Sequence, residues 1–159
     1  MSMERARAHL EKYGLAERIR EFEVSSATVA LAAEALGTEE RKIAKTLSFS
    51  LGESAILVVA AGDAKVNNHK YKEVFGKKAK MLPFEEVESL IGHAVGGVCP
   101  FGVNEGIKVY LDESLRRFDV VYPAAGTAQS AVELTVAELE KASEALSWID
   151  VTTIPENDI

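Results

Sequence analysis

Two apolar segments separated by a short turn constrain the fold of this chain more than any other feature. Residues 46–51 alternate between apolar and polar side chains, and residues 55–61 form a continuous apolar run. Between them lie Gly52, Glu53 and Ser54, which are typical turn-forming residues. The pattern is most simply that of a β-hairpin.

Further strand-like segments follow the hairpin, and helical patterns separate only some of them. Strands are expected at 107–111, 118–122 and 130–134, and helices at 67–75, 84–91 and 136–145. Because strands outnumber the helices that could separate them, we predict an α+β fold with a mixed, mainly antiparallel sheet. No internal repeat or linker-like segment is found in the sequence, so residues 1–159 are predicted to form a single domain.

The composition is that of an ordinary globular protein, with 47% hydrophobic and 27% charged residues. The longest apolar run has the length of a strand, well short of the roughly 20 residues that a membrane-spanning helix needs. The N-terminus is too charged for a secretory signal peptide. A single cysteine, Cys99, excludes an intramolecular disulfide and suits a reducing compartment. We therefore expect a cytoplasmic protein with no membrane partner.

The net charge of −7 argues against general affinity for nucleic acid, but the charge is unevenly distributed. Residues 63–80 carry six lysines and two acids, so this segment has a charge of +4 and the rest of the chain −11. The lysines are Lys65, Lys70, Lys72, Lys77, Lys78 and Lys80. Such a run is often only a solvated helix and turn. The alternative is a local site for one phosphate-rich end of a ligand.

Common catalytic and metal-binding motifs are absent from the sequence. There is no phosphate-binding P-loop, no H-E-x-x-H and no C-x-x-C. His9, His69 and His93 are scattered without the spacing of metal ligands, so we expect surface histidines, no metal site and no cofactor. Cys99 could act as a nucleophile, but its neighbours suggest no base, and a buried unreactive thiol is the simpler interpretation.

The densest cluster of glycine and proline follows His93. It contains Gly96, Gly97, Pro100, Gly102 and Gly106 within eleven residues. Such a loop can present backbone N–H groups to a carbonyl oxygen or a phosphate. It can equally be a tight turn between strands. A second small-residue loop around Gly126 could close over the same cleft.

Lys45 stands immediately before the first hairpin strand. Strand alternation places it in phase with Leu47, Phe49 and Leu51, the face expected to be buried. A lysine in register with buried positions is costly unless its amine reaches a cleft or a partner. The alternative is that the side chain passes the end of the strand into water. Periodicity alone leaves both open.

Three sequence blocks in this order resemble the YbaK family, which includes the editing domain of bacterial prolyl-tRNA synthetase and its free-standing relatives. The blocks are K-T at Lys45 and Thr46, G-G-x-x-P-x-G at 96–102, and G-x(6)-E-L from Gly126 to Leu134. The resemblance implies a barrel-like sheet with surrounding helices. It also implies hydrolysis of the ester that joins a small noncognate amino acid, such as cysteine or alanine, to the 3′-terminal ribose of tRNA for proline.

The resemblance further implies roles for individual residues. Lys45 matches the essential lysine of the family, which would orient the terminal nucleotide and stabilise negative charge on the ester carbonyl oxygen. Gly96 and Gly97 match the loop whose backbone contacts that ester. The implied substrate-binding residues are Thr46, Cys99, Pro100, Gly102, Gly126 and Ser130. The attacking group would be a water molecule or the substrate's own thiol, with neither a metal nor a protein nucleophile.

A free-standing editing enzyme has to hold the acceptor end of aminoacyl-tRNA, and a tRNA synthetase is a further possible partner. The basic segment is the expected contact with tRNA, through Lys65, Lys70, Lys72, Lys77 and Lys78. Unpaired acceptor ends are usually bound by stacking as well. Tyr71 and Phe75 are candidate stacking residues, although each is equally suited to the core of its helix.

Two positions depart from the family pattern. Ala131 lies near the position where many relatives carry an aspartate, and Cys99 where relatives often have serine. These departures leave the amino-acid specificity open. They also support an alternative in which the chain is a catalytically inactive tRNA- or nucleotide-binding module of the same fold. A further alternative is a small-molecule hydrolase that uses Cys99.

Overall fold

Helices and strands follow one another in an irregular order in the computed structural model, which describes residues 2–155. The helices are α1 (Ser2–Glu11), α2 (Val29–Leu36), α3 (Asn68–Phe75), α4 (Phe84–Ile91) and α5 (Val136–Ala142). The strands are β1 (Ile19–Glu21), β2 (Ile43–Leu51), β3 (Ser54–Ala61), β4 (Lys65–Val66), β5 (Lys108–Asp112), β6 (Val120–Pro123), β7 (Ser130–Val132), β8 (Leu134–Thr135), β9 (Ser147–Ile149) and β10 (Thr152–Thr153). Short 3₁₀ helices lie at Ala16–Arg18, Glu40–Lys42 and Glu113–Arg117. Residues 1 and 156–159 of the predicted domain lie outside the described part.

The predicted hairpin is confirmed, and its strands β2 and β3 form the centre of a six-stranded sheet with the order β8-β6-β2-β3-β5-β9. β6 pairs in parallel with β2, while β5 and β9 add in parallel beyond β3. Two small antiparallel sheets, β1–β7 and β4–β10, complete the structure. Within residues 2–155, four strand pairs are antiparallel and three are parallel. This curled half-barrel confirms the predicted α+β fold with a mixed sheet and surrounding helices.

Strand β3 is buried on both faces and separates two apolar clusters. Ile56 and Val58 contact the cluster that contains Phe49 and Tyr71, whose ring centroids lie 5.1 Å apart. Leu57, between them in sequence, belongs to the larger cluster on the opposite face. Because neither face of β3 meets water, its sequence is continuously apolar rather than alternating.

The helix ends follow the signals in the sequence. Thr28 caps α2 by accepting a hydrogen bond from the Leu31 N–H at 3.1 Å, and Gly37 ends the helix in the left-handed conformation.

The predicted strand 130–134 is instead two strands, because β7 pairs with β1 whereas β8 pairs with β6. In the described range 2–155, each helix is too short or too polar to cross a bilayer.

A buried carboxylate joins the end of β5 to the last described segment. Asp112 is fully buried and accepts hydrogen bonds from the Ser114 N–H at 2.9 Å, the Val151 N–H at 2.9 Å and the Thr152 hydroxyl at 2.6 Å. These donors lie on separate segments, so one side chain satisfies three polar groups that the fold removes from water.

Replacing Asp112 by alanine should lower the free energy of unfolding by about 3 kcal/mol, because the buried donors lose their acceptor. Urea denaturation followed by circular dichroism measures this loss. Glu53→Ala, at the exposed hairpin turn, is the control and should leave the unfolding midpoint unchanged. Equal midpoints for the two variants would contradict a structural role for the Asp112 carboxylate.

Candidate active site

A cavity of about 330 Å³ opens between β2, the glycine loop and the start of α4. Four of the predicted site residues line it, namely Lys45, Thr46, Gly96 and Ser130. Most of the remaining wall is apolar. The cavity therefore combines a few polar groups with an apolar surface, as small-molecule binding sites usually do.

Lys45 lies in the wall of this cavity with its ammonium group held by the backbone. Its Nζ donates a hydrogen bond to the Ala64 carbonyl oxygen and a longer one, of 3.4 Å, to that of Gly62. Burial lowers the pKa of Lys45 below its usual value, and the negative charge of Asp63 partly opposes this shift. An ammonium group has three N–H donors. Within residues 2–155, two of them are used by these carbonyl groups, which line a second pocket on the other side of Lys45, and the third is available to a ligand. The side chain thus reaches a cleft, the first of the two sequence-based alternatives.

Gly62 makes the position of the carbonyls around Lys45 possible. A Cβ atom at residue 62 would lie 2.0 Å from the Glu40 carbonyl oxygen and 2.8 Å from Val29 Cγ1. Only glycine allows the loop after β3 to pack this closely against the 3₁₀ helix before β2. Gly62 was not among the predicted site residues, although a glycine directly after a buried apolar strand is a signal of close backbone approach.

Thr46 faces a gap in the edge of β2. The ladder with β6 ends at Ala44, and pairing with the 80–82 segment begins at Ser48, whose carbonyl accepts a hydrogen bond from the Leu82 N–H at 3.0 Å. Strand alternation directs the main-chain N–H and C=O of Thr46 to the same edge as those of Ser48. The buried Thr46 hydroxyl has no hydrogen-bond partner among residues 2–155. Three polar groups of one residue are therefore available at the cavity.

The two predicted small-residue loops lie against each other. A Cβ atom at Gly97 would lie 2.5 Å from the Gly126 carbonyl oxygen and 2.6 Å from Thr127 Cα. The neighbouring Gly96 has a φ of +93°, and no hydrogen bond of its N–H is found among the described residues. The absence of side chains at Gly96 and Gly97 thus brings one loop against the other and leaves a backbone donor beside the cavity.

Ser130 is buried in the second loop and serves as its local hydrogen-bond centre. Its Oγ accepts a hydrogen bond from the Thr127 hydroxyl at 2.8 Å and lies 3.3 Å from the Thr127 N–H. Ala131, which lies near the position where the family resemblance implies an aspartate in many relatives, also lines the cavity. That departure from the family pattern is therefore located in the wall of the candidate site.

Four predicted substrate-binding residues do not line the cavity, namely Cys99, Pro100, Gly102 and Gly126. Cys99 is fully buried beneath the loop, with its Sγ 3.6 Å from His93 Nε2. Pro100 and Gly102 line a separate groove beside α1. A Cβ atom at Gly102 would lie 2.5 Å from the Arg5 carbonyl oxygen, so this glycine permits contact between the loop and α1.

The expectation of surface histidines is wrong for His93, which is fully buried six residues before Cys99. Its Nε2–H donates to the Phe101 carbonyl oxygen at 2.6 Å, which assigns the proton to Nε2. Burial lowers the pKa of His93 and favours the neutral ring. His9 is largely covered by Tyr13 and Phe101, and His69 is exposed. Within residues 2–155, no group of three or more His, Cys, Asp or Glu residues is arranged to hold a metal ion.

The predicted lysines do not form one patch around the cavity. Lys65 lines a pocket on the other side of Lys45, whereas Lys77 Nζ lies 3.9 Å from the Cβ position of Gly52 at the hairpin tip. Lys45 and Gly52 are seven positions apart, so at 3.3 Å per residue the two lysines lie roughly 23 Å from each other along the strand. Lys70 is already engaged, because its Nζ lies 3.0 Å from an Asp150 carboxylate oxygen. Lys72, Lys77 and Lys78 are exposed.

The two candidate stacking residues belong to the core. Tyr71 is fully buried, and Phe75 packs edge-on against Tyr110 with ring centroids 5.2 Å apart. Phe75 is partly buried and also packs against Tyr71, with ring centroids 4.7 Å apart, so both rings belong to one aromatic cluster. The core interpretation, which the sequence left open, is therefore the correct one.

Comparison with known proteins points to one family. Residues 23–142 match the family described as the aminoacyl-tRNA editing domain. YwhH of Bacillus subtilis (strain 168), an uncharacterized protein, is 49% identical over 95% of this chain and 97% of its own length. The proline–tRNA ligase of Bacillus cytotoxicus is 27% identical over 77% of this chain, which spans only 22% of the ligase.

Solved structures share the fold over nearly the whole chain. The crystal structure of a proposed trans-editing enzyme for prolyl-tRNA synthetase is 31% identical, with a TM-score of 0.85 over 96% of this chain and 97% of the other. The crystal structure of the hypothetical protein APE2540 is also 31% identical, with a TM-score of 0.79. The match covers 91% of this chain and 99% of that protein.

Cys99 should resist alkylation in the folded protein. Burial raises the pKa of its thiol to about 12, so at pH 8 about one molecule in ten thousand carries the reactive thiolate. Mass spectrometry after treatment with iodoacetamide should find unmodified protein under native conditions and full modification in guanidinium chloride. Rapid stoichiometric modification of the native protein would contradict this, and would revive Cys99 as a candidate nucleophile.

Proposed function

The chain belongs to the aminoacyl-tRNA editing domain family, and on that premise we propose that it hydrolyses mischarged aminoacyl-tRNA. The proposed substrate is tRNA for proline carrying a small noncognate residue such as cysteine or alanine. The similarity to a segment of proline–tRNA ligase supports this choice of tRNA. Prolyl-tRNA synthetase would then be the enzyme whose errors are corrected, in a reaction expected to occur in the cytoplasm.

The observation that carries the proposal is the placement of Lys45, Thr46 and Gly96 around one cavity. In ester hydrolysis a water molecule attacks the carbonyl carbon, and the carbonyl oxygen becomes an oxyanion. The free N–H of the Lys45 ammonium and the Gly96 backbone N–H are the donors proposed to stabilise it. Both are held in position before the substrate binds, which is the arrangement that lowers the energy of such a transition state.

The intermediate collapses when the carbon–oxygen bond to the ribose breaks. The 3′ oxygen leaves with the proton released by the attacking water, and the products are the free amino acid and a tRNA with a free 3′ hydroxyl. The unpartnered Thr46 hydroxyl is suited to hold the ribose or the α-amino group during this step. With a cysteine substrate, the attacking group can be the substrate's own thiol in place of water. The thiol proton then goes to the departing 3′ oxygen, and the first product is a cyclic thioester that water hydrolyses to free cysteine.

The apolar part of the cavity suits the side chain of a small amino acid. Ala27, Ala32 and Val98 supply aliphatic surface close to the polar groups. Because the cavity of about 330 Å³ must also accept part of the terminal ribose, a large side chain would compete for the same space. Small uncharged residues are therefore the proposed class of amino acid.

Lys45→Ala should reduce kcat/KM for deacylation at least 100-fold, on the order of the loss for one oxyanion donor. The assay follows release of alanine, cysteine or serine from charged tRNA for proline, with the prolyl-charged form as the reference. Lys42→Ala, at an exposed lysine three residues away, is the matched control and should retain activity. Circular dichroism verifies that both variants are folded.

Turnover by Lys45→Ala within a few-fold of the wild type would contradict the proposed role of Lys45. Binding of charged tRNA by the wild type without release of any amino acid would instead favour the inactive binding module. Ala131 in the cavity wall gives that second possibility a structural basis.

A further inference from the structure

The mouth of the cavity carries an exposed aromatic ring that the core does not use. Phe84 lines the cavity while 74% of its surface remains exposed. Met81 and Val95 are also exposed and also line the cavity. Large apolar side chains grouped around a cavity are typical of a surface that a ligand covers.

The position of Phe84 is fixed relative to Thr46. The segment before Phe84 pairs with the outer edge of β2 through two hydrogen bonds. The Ser50 N–H donates to the Lys80 carbonyl oxygen at 2.8 Å, and the Leu82 N–H donates to the Ser48 carbonyl oxygen at 3.0 Å. Pro83 then begins α4, with Phe84 as its first residue. Since Ser48 lies two residues from Thr46, about 7 Å along the strand, the ring lies within reach of a nucleotide whose ribose sits at Thr46.

Exposed lysines lie next to the mouth of the cavity in the sequence. Lys77, Lys78 and Lys80 precede Met81 and are exposed, and no ion pair of theirs is found among residues 2–155. The Lys77 ammonium reaches the hairpin tip near Gly52. The first turn of α4 carries Glu85 and Glu86, which repel phosphate on the other side of Phe84. A polyanionic strand ending in the cavity is thus directed over the lysines.

We propose that Phe84 is the stacking platform for the unpaired terminal adenine of aminoacyl-tRNA, with the preceding phosphates passing over Lys80, Lys78 and Lys77. This inference rests on the proposed function, because it places the aminoacyl ester in the adjoining cavity. An exposed ring beside a basic track is the combination with which proteins bind single-stranded nucleic acid. An apolar protein partner would explain Phe84 but not the unpaired lysines.

The direct test measures the dissociation constant for an uncharged acceptor-stem RNA hairpin with a CCA end and for the same hairpin without its terminal adenosine. Phe84→Ala should weaken binding of the CCA form on the order of 5- to 100-fold, the range of one base–aromatic stack. It should leave binding of the shortened RNA nearly unchanged. Phe84→Trp should retain affinity, because the larger ring still stacks.

Two further variants separate stacking from other effects. Leu146→Ala removes a side chain of similar exposure, 60%, that does not line the cavity, and should not alter binding. The triple variant Lys77→Gln, Lys78→Gln, Lys80→Gln should reduce the slope of log K against log salt by about 0.7 per lost phosphate contact. Phe84→Ala should leave that slope unchanged, since the ring carries no charge.

The outcomes for the platform and for the proposed function are distinguishable. If the wild type releases no amino acid but Phe84→Ala weakens RNA binding only when the terminal adenosine is present, the proposed function fails and the platform stands. If deacylation occurs but Phe84→Ala binds both RNAs like the wild type, the platform is overturned. It is also overturned if the wild type binds neither RNA, or if Phe84→Ala reduces binding to prolyl-tRNA synthetase alone.

Discussion

The antiparallel pairing of β2 with β3 is the constraint on which the rest of the structure depends. Its register runs from Ala44 opposite Ala61 to Leu51 opposite Ser54, and each flanking strand adds to one side of this pair. A shift of one residue would exchange the two faces of β2. The main-chain groups of Thr46 would then face β3 instead of the cavity, and Lys45 would lose its carbonyl acceptors.

Close backbone contacts at two glycines position the parts of the site that lie outside the hairpin. Gly62 and Gly97 each pack against another segment at a distance that no side chain would permit. The first contact places two carbonyl groups around the Lys45 ammonium, and the second joins the two loops beside the cavity. A buried ammonium is costly when unpaired. Here the fold itself supplies two carbonyl acceptors to the ammonium group, and the negative charge of Asp63 adds a favourable interaction that partly offsets the cost of burial.

Local patterns predicted much of the fold and part of the site. Apolar runs and turn residues are sufficient for the hairpin, and helical spacing is sufficient for α3 and α4, because these signals act within a few positions. The helix predicted at 136–145 ends earlier, at Ala142. The strand at 130–134 was not resolved into β7 and β8, since its two halves pair with strands distant in sequence. His93 was misjudged for the same reason: its burial depends on α1 and on the loop that follows it.

The predicted site residues also fall into two groups, those that line the cavity and those that pack elsewhere. Family resemblance selected Lys45, Thr46, Gly96 and Ser130, which meet at the cavity, but it could not separate them from Pro100 and Gly102, which pack elsewhere. Phe84 carried no motif, and only the exposure of its ring in the folded chain distinguishes it. Spacing along a sequence identifies a loop motif as a unit, whereas packing decides which of its residues face a ligand.

A crystal structure with a non-hydrolysable analogue would test the proposed placement of the ester between Lys45 and Gly96 most directly. The analogue is an adenosine that carries alanine through a 3′ amide in place of the ester. We expect the amide carbonyl oxygen about 3 Å from Lys45 Nζ and from the Gly96 nitrogen, with the alanine methyl against the apolar wall. An analogue bound outside this cavity, or one whose carbonyl oxygen points away from both donors, would contradict it.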